Sequence, residues 1–477
     1  MSNRWMHVLK RSTRVLALWS TLSLAAAGEL ERVVDAYVHE ALVSNLALRQ
    51  RDLDVERARA ALTEARAAWK PQLSLAARYS RAQGGREIEF PVADLLNPVY
   101  RSLNEQLIAQ GRPPSFPTLD NQSIELLRRR EQDTRISLSQ VLYAPAIRAQ
   151  VGARDALVDL EDAGREALAR QLIRDVRRAY YDWRRAQEGI GIVRASRELL
   201  SENLRVSTSL FDNGKVTRDQ VLRAQAELLA IEQQEREAQN QIDSAASYFN
   251  FLRNVDLASP IRRVEIIEID TQPLPALAQA RQQAHRARPE QRQSAAGARA
   301  AARQIAAERA AYQPTVGFGL DAGFQGEDYG FGNDDDFGVA TLSLRWTLGD
   351  GGARRARVAQ AALAHQAAEL KIEETADQIA LEVQRARDSL ATAADSLKTA
   401  QARFEAAHAG FAIASRKRDA GSISQVEFLD ARSALTSAEL NLSLTRFDWL
   451  ARRADLDYAT AAEPLSALLA TPAGDPR

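Results

Sequence analysis

Two long stretches of the chain place apolar residues at alternating steps of four and three. The second runs from Ile372 to Phe411 through Ile379, Val383, Leu390, Leu397 and Phe404 without a miss. The first runs from Leu172 to Leu204 through Val176, Trp183, Ile190 and Val193, and only Arg197 breaks it. This 3.5-residue period predicts left-handed coiled-coil packing, and the many alanines in it let neighbouring helices approach closely. The stretches predict helices over 146–211 and 353–418, each roughly 100 Å long at 1.5 Å per residue. Shorter helices are predicted over 31–69 and 217–253, near half that length, so that two of them end to end match a long one. The period then switches to two over 72–81, 135–142, 315–324 and 339–348, which predicts four strands. Pro71 and Pro314 stop the helices that lead into them, because proline has no amide proton to give a helix interior. Between the first two strands, 98–110 reads as a short helix capped by Asn97 and stopped by Gly111.

The order of these elements occurs twice. Ala68-Trp69-Lys70-Pro71-Gln72-Leu73 returns as Ala311-Tyr312-Gln313-Pro314-Thr315-Val316. Gly214-Lys215-Val216, followed by Val221-Leu222-Arg223-Ala224, returns as Gly421-Ser422-Ile423, followed by Phe428-Leu429-Asp430-Ala431. The chain therefore divides into a first repeat over 28–259, a linker over 260–275, a second repeat over 276–460 and a tail over 461–477. The fold class is mainly α with a small β part, built from a duplicated helix–strand–strand–helix unit.

Composition narrows the function. Lys plus Arg and Asp plus Glu each number 63, so no global field favours nucleic acid, and no cysteine is present for disulfides, zinc fingers or thiol catalysis. The five histidines show no metal-ligand spacing, no nucleophile–base set stands out, and the glycine pairs Gly317-x-Gly319 and Gly349-Asp350-Gly351-Gly352 lack a nucleotide-loop fingerprint. No catalysis, metal or cofactor is expected. Asp334-Asp335-Asp336 reads as a solvated loop, with divalent-cation binding the minor alternative. Residues 1–27 read as an export signal: Arg4, Lys10, Arg11 and Arg14 precede a short apolar run that ends in Ala25-Ala26-Ala27. About ten alternating residues suffice for a tilted strand to cross the hydrocarbon layer. Four strands cannot close a barrel, and an open edge in lipid leaves backbone groups unpaired. Two copies would give eight strands and a filled interior; three give twelve and a lumen.

The duplicated plan, the Ala-x-x-Pro-x-Leu strand start and the Leu-Gly-Asp-Gly-Gly turn at Leu348–Gly352 resemble the TolC outer-membrane factor family over about 31–458. The resemblance implies a homotrimeric twelve-stranded β-barrel in outer-membrane lipid, continued by a periplasmic α-helical tunnel. It implies docking of a periplasmic adaptor that links the channel to an inner-membrane pump of RND or ABC type. The turns at Gly214, Lys215, Val216 and at Gly421, Ser422, Ile423 correspond to the periplasmic tip where adaptors dock. Glu427 and Asp430, three apart and so on one helix face, resemble the family's acidic constriction. The first repeat has Gln220 and Arg223 there, so only one repeat would supply the ring. Ile423 replaces a basic residue that links repeats at the family's closed tip. The function expected is a passive conduit for drugs or other small toxic solutes. Type I protein secretion and a periplasmic coiled-coil scaffold are the alternatives, the latter disfavoured by the paired strand sets.

Overall fold

A computed structural model describes residues 29–264, 273–328 and 334–466. The expected export signal lies outside the described residues, as do 265–272 of the linker and 467–477 of the tail. In chain order the elements are α1 (29–44), α2 (Leu46–Ala67), β1 (Gln72–Arg81), β2 (Glu87–Phe90), α3 (Val92–Ala109), β3 (Gln122–Glu125), β4 (Arg130–Tyr143), α4 (Pro145–Asp212) and α5 (Arg218–Leu252). The second repeat supplies α6 (Leu277–Ala287), α7 (Pro289–Ala310), β5 (Thr315–Gly326), β6 (Asp336–Arg345), α8 (Ala353–Asp419) and α9 (Gln425–Thr460). The contacts group 62–152 with 303–361 as a strand unit, and the remaining residues as a helical unit.

In the strand unit the sheet order is β1-β4-β5-β6, antiparallel throughout. Each repeat contributes one hairpin, and β4 with β5 joins them. The alternation sorts residues onto two faces. One face carries Leu73, Leu75, Ile136, Leu138, Phe318, Leu320, Leu342 and Leu344; the other carries Ser74, Arg78, Ser137, Ser139, Asp321, Thr341 and Ser343. On the polar face Ser137 hydrogen-bonds Asp321 across the repeat boundary. Most of the apolar face is exposed, with Leu73, Leu75 and Leu342 each 71% accessible, but at its far end Gln132 and Gly326 are buried.

Three strand-unit expectations need correction. The fourth strand runs Asp336–Arg345 rather than 339–348. Pro314 ends the ladder at Thr315, whose partner is Arg345, so Trp346–Leu348 have no strand to pair with. There the Trp346 indole donates to the Tyr312 carbonyl at 3.0 Å, and Arg354 donates to the carbonyls of Thr347 and Ala311. The second strand is longer than 135–142, because β1 remains paired out to Arg81↔Arg130. The short helix starts at Val92 rather than Pro98. Its first amides, those of Ala93 and Asp94, are capped by the Asn121 side chain from a distant segment. Asn97, expected as the cap, lies inside the helix and bonds the Leu119 N–H and carbonyl at 2.8 Å each. Gly111 does end the helix, at φ +75°. The β2–β3 hairpin was not anticipated.

In the helical unit the half-length helices are broken at matching points of the two repeats. Asn45 separates α1 from α2; its Oδ1 accepts from the Ala47 and Leu48 amides and its Nδ2 donates to Leu252. Arg288, made extended by the Pro289 that follows, separates α6 from α7. The main core lies where α1, α4 and α5 meet, with Val34, Val38, Val176 and Phe249 buried. Tyr37 meets Phe249 edge-on at 5.1 Å, and Tyr180 packs on both rings. Polar ends are satisfied: the Arg262 N–H donates to the Tyr37 hydroxyl, and the Tyr180 hydroxyl donates to the Arg262 carbonyl. Burial pushes the Tyr180 phenol up to about 12. The Arg253 guanidinium lies 4.3 Å over Tyr37 and pairs with Glu40 at 2.9 Å.

Candidate functional site

The candidate site is the pair of helix–turn–helix ends that join α4 to α5 and α8 to α9. Each long helix closes on a glycine at positive φ, Gly214 at +65° and Gly421 at +66°. Such a left-handed residue lets the chain satisfy the last helical carbonyls. The Lys215 amide reaches the Leu210 carbonyl at 2.8 Å, and the Ser422 amide reaches that of Lys417 at 2.8 Å. Lys215, Ser422 and both glycines are exposed, whereas Val216 and Ile423 are half-buried.

The returning helices begin differently. Thr217 precedes α5 without a side-chain cap, whereas Ser424 and Glu427 form a reciprocal capping box on α9. The Glu427 amide donates to the Ser424 hydroxyl oxygen, and the Ser424 amide donates back to the Glu427 carboxylate, both at 3.2 Å. Glu427 thus has a local task that its spacing to Asp430 did not show. Its carboxylate sits in the first turn, where the helix dipole favours negative charge. Glu427 and Asp430 are both exposed, and the buried pair between them, Phe428 and Leu429, faces the helical core. The geometry leaves both carboxylates accessible to solvent.

A line of polar contacts that the sequence pattern does not reveal ties α9 of the second repeat to α4 of the first. Gln425 donates to the Ser207 hydroxyl at 3.0 Å and to the Gln220 carbonyl at 3.4 Å. Ser196 and Thr436 share a hydrogen bond at 3.3 Å, and Ser443 donates to Glu188 at 2.7 Å. Between these lie Asn203 and Arg432, both buried, with Asn203 Nδ2 and Arg432 Nε lacking a hydrogen-bond partner. Burial pushes the Arg432 guanidinium below its usual range, opposed by the charge of Glu439, and its ring-side neighbour is Phe411 at 5.5 Å. Near the α8–α9 turn, the inter-repeat link therefore runs through Gln425 rather than through position 423. The signal in the sequence was a polar set on α4, Ser196, Asn203 and Ser207, beside the apolar stripe. Arg197, which interrupts the apolar stripe, reaches sideways instead. With Arg194 it pairs with Glu235 of α5 and holds that carboxyl below its usual range, the Arg194 hydrogen bond being the largest cause.

Among the described residues no cluster of His, Cys, Asp or Glu could hold a metal ion, and no helix is long and apolar enough to cross a membrane. The Asp334–Asp336 run forms a turn leading into β6.

Comparison with known proteins agrees with this geometry. No curated protein matches the chain by sequence. Solved structures match its fold. The CmeC outer membrane channel of Campylobacter jejuni shares 17% identity and a TM-score of 0.75, over 91% of this chain and 88% of that one. The VceC outer membrane protein of Vibrio cholerae shares 17% identity at 0.71, over 90% and 95% of the two chains. The MtrE outer membrane channel of Neisseria gonorrhoeae, solved in its open state, shares 18% identity at 0.70, over 90% and 88%. A family model described as outer membrane efflux protein matches residues 37–248 and 280–462, most of both repeats. The chain belongs to the outer membrane efflux protein family, and it acts in efflux at the outer membrane.

Proposed function

We propose that three copies of the chain close a twelve-stranded barrel in the outer membrane, continued by a periplasmic tunnel of coiled helices. The observation that carries this reading is the four-stranded sheet with two open edges, β1 and β6, beside an exposed apolar face. Among the described residues neither the edges nor the exposed leucines of the face have a partner within one copy, and neighbouring copies plus lipid would supply both. The long helix α8 adds support: Leu363 and Leu370 are 64% and 65% exposed, as expected of a helix that packs on other copies. The assembled trimer acts as a passive conduit for drugs or other small toxic solutes. It receives them from an inner-membrane pump of RND or ABC type through a periplasmic adaptor, which docks at the turns around Gly214 and Gly421.

In this assembly Glu427 and Asp430 supply six carboxylates toward the tunnel axis and select cations at the periplasmic end. Neutralising both, Glu427→Gln with Asp430→Asn, should lower the cation-over-anion permeability ratio on the order of twofold or more in planar bilayers. Asp430 should carry most of the change, because Glu427 is partly committed to its capping box. Unchanged selectivity in a conducting double variant would remove the pair from the gate.

A further inference from the structure

The apolar face of the sheet ends in an unusual way. Along the β1–β4 ladder its rows are Leu73↔Leu138, Leu75↔Ile136, Ala77↔Thr134, Tyr79↔Gln132 and finally Arg81↔Arg130. Residues directly opposite share a face, so two arginines stand side by side on the face that carries the leucines. They lie at the end of the sheet where the chain leaves for α3 and returns. Like charges placed directly opposite repel, and such a pair is costly unless something anionic lies between.

Their height is informative. On β5 the same face runs from Val316 to Gly326, and Gly326 is level with Gln132. Those ten steps span about 33 Å along the strand, or about 25 Å of membrane thickness at a barrel's usual tilt. An outer-membrane barrel's apolar band is about this tall, and the last row of the span, Gln132 with Gly326, is buried rather than exposed. The arginine row stands one step beyond it, past the half-exposed Tyr79, at the level of the outer head groups. Among the described residues Arg81 has no ion pair, and Arg130 has one, an exposed contact to Asp328 at 3.4 Å. The arginines of the opposite face are placed differently: Arg78 and Arg135 both pair with Asp133. Leu126 and Leu127, 55% and 52% exposed, lie in the returning segment just before Arg128, Arg129 and Arg130. Paired guanidinium forks beside apolar side chains match a phosphate carried by a lipid.

We propose that Arg81 and Arg130 form a clamp for the phosphate groups of a glycolipid in the outer leaflet. The clamp fixes the barrel's height and the position of the α3 arm against the membrane surface. This inference rests on the outer-membrane channel reading.

The test uses the full-length protein in phosphatidylcholine vesicles with and without lipid A. Bound lipid A is counted by native mass spectrometry, thermal melting is followed, and conductance is recorded on the same preparation. Arg81→Ala with Arg130→Ala should weaken lipid A binding about tenfold or more, the equivalent of losing one charged hydrogen bond. Arg81→Lys with Arg130→Lys should recover part of it, and Arg57→Ala, on exposed α2, should change nothing. In vesicles without lipid A the double alanine variant should melt no lower than the parent, since a repulsion has been removed. A conducting double alanine variant with unaltered lipid A binding overturns the clamp alone. Equal destabilisation with and without lipid A also overturns it, and would mean that the pair is neutralised within the assembly, for instance by Asp334–Asp336 of a neighbouring copy. Displacement of lipid A by inorganic phosphate would overturn it in favour of a free-anion site. Failure of the parent protein to insert and conduct would refute the channel reading, and the clamp with it.

Discussion

Replacing Gly323 by valine is expected to abolish assembly of the channel. Gly323 pairs with Arg135 where β5 of the second repeat meets β4 of the first. A Cβ at this position would overlap the Thr134 carbonyl oxygen and lie 2.7 Å from the Arg135 Cα. Both are backbone atoms of the neighbouring strand, so no side-chain rotation relieves the clash. The strands must separate, and β4–β5 is the pairing that joins the two repeats into one sheet. Overpacking of this kind costs about 3 kcal/mol before any loss of ladder hydrogen bonds is counted. The check is the yield of detergent-resistant oligomer in the outer-membrane fraction, which should fall close to zero. Gly338→Ala is the matched control. It lies on β6 with nothing within 4 Å of its virtual Cβ, and it should assemble normally.

The second large effect belongs to the helical unit. Phe249→Ala should destabilise it by about 3–5 kcal/mol, the usual range for emptying a buried aromatic site. Phe249 is fully buried and lies against both Tyr37 and Tyr180, with the Arg253 guanidinium 5.2 Å from its ring. Its loss opens a cavity where three helices meet and removes support from the Tyr37 and Tyr180 hydroxyls that hold Arg262. Thermal melting of the helical signal should start several degrees lower. Phe249→Leu, which keeps most of the volume, should lose well under half as much. An alanine variant that melts with the parent would show that this cluster does not anchor α5.

Much of this architecture was legible because it is periodic. The stripe from Ile372 to Phe411 fixes which face of α8 is inward, and Val383, Leu390, Ala393 and Ala400 are buried as it requires. Pro71 and Pro314 mark where helix gives way to strand, since a missing amide proton acts locally. Features set by distant partners were not legible. The start of α3 depends on Asn121 reaching back to cap it, so Asn97 and Pro98 misled. The end of β6 depends on where Pro314 leaves the neighbouring strand. The breaks at Asn45 and Arg288 serve tertiary neighbours, Leu252 for the first and Glu382 and Tyr458 for the second. At the tip, glycines at positive φ were readable from Gly214 and Gly421. The link through Gln425 was not, because a polar residue on a helix resembles a solvated one until its partner on another helix is known. Glu427 shows the converse: a residue singled out for the lumen also closes a capping box that Ser424, three residues earlier, makes possible.

Closure of the open sheet edges by neighbouring copies is the central claim, and the mass of the purified protein in detergent tests it most directly. Light scattering with the detergent contribution subtracted should give one species at three times the mass of the processed chain. A stable monomer or dimer in detergent would contradict it.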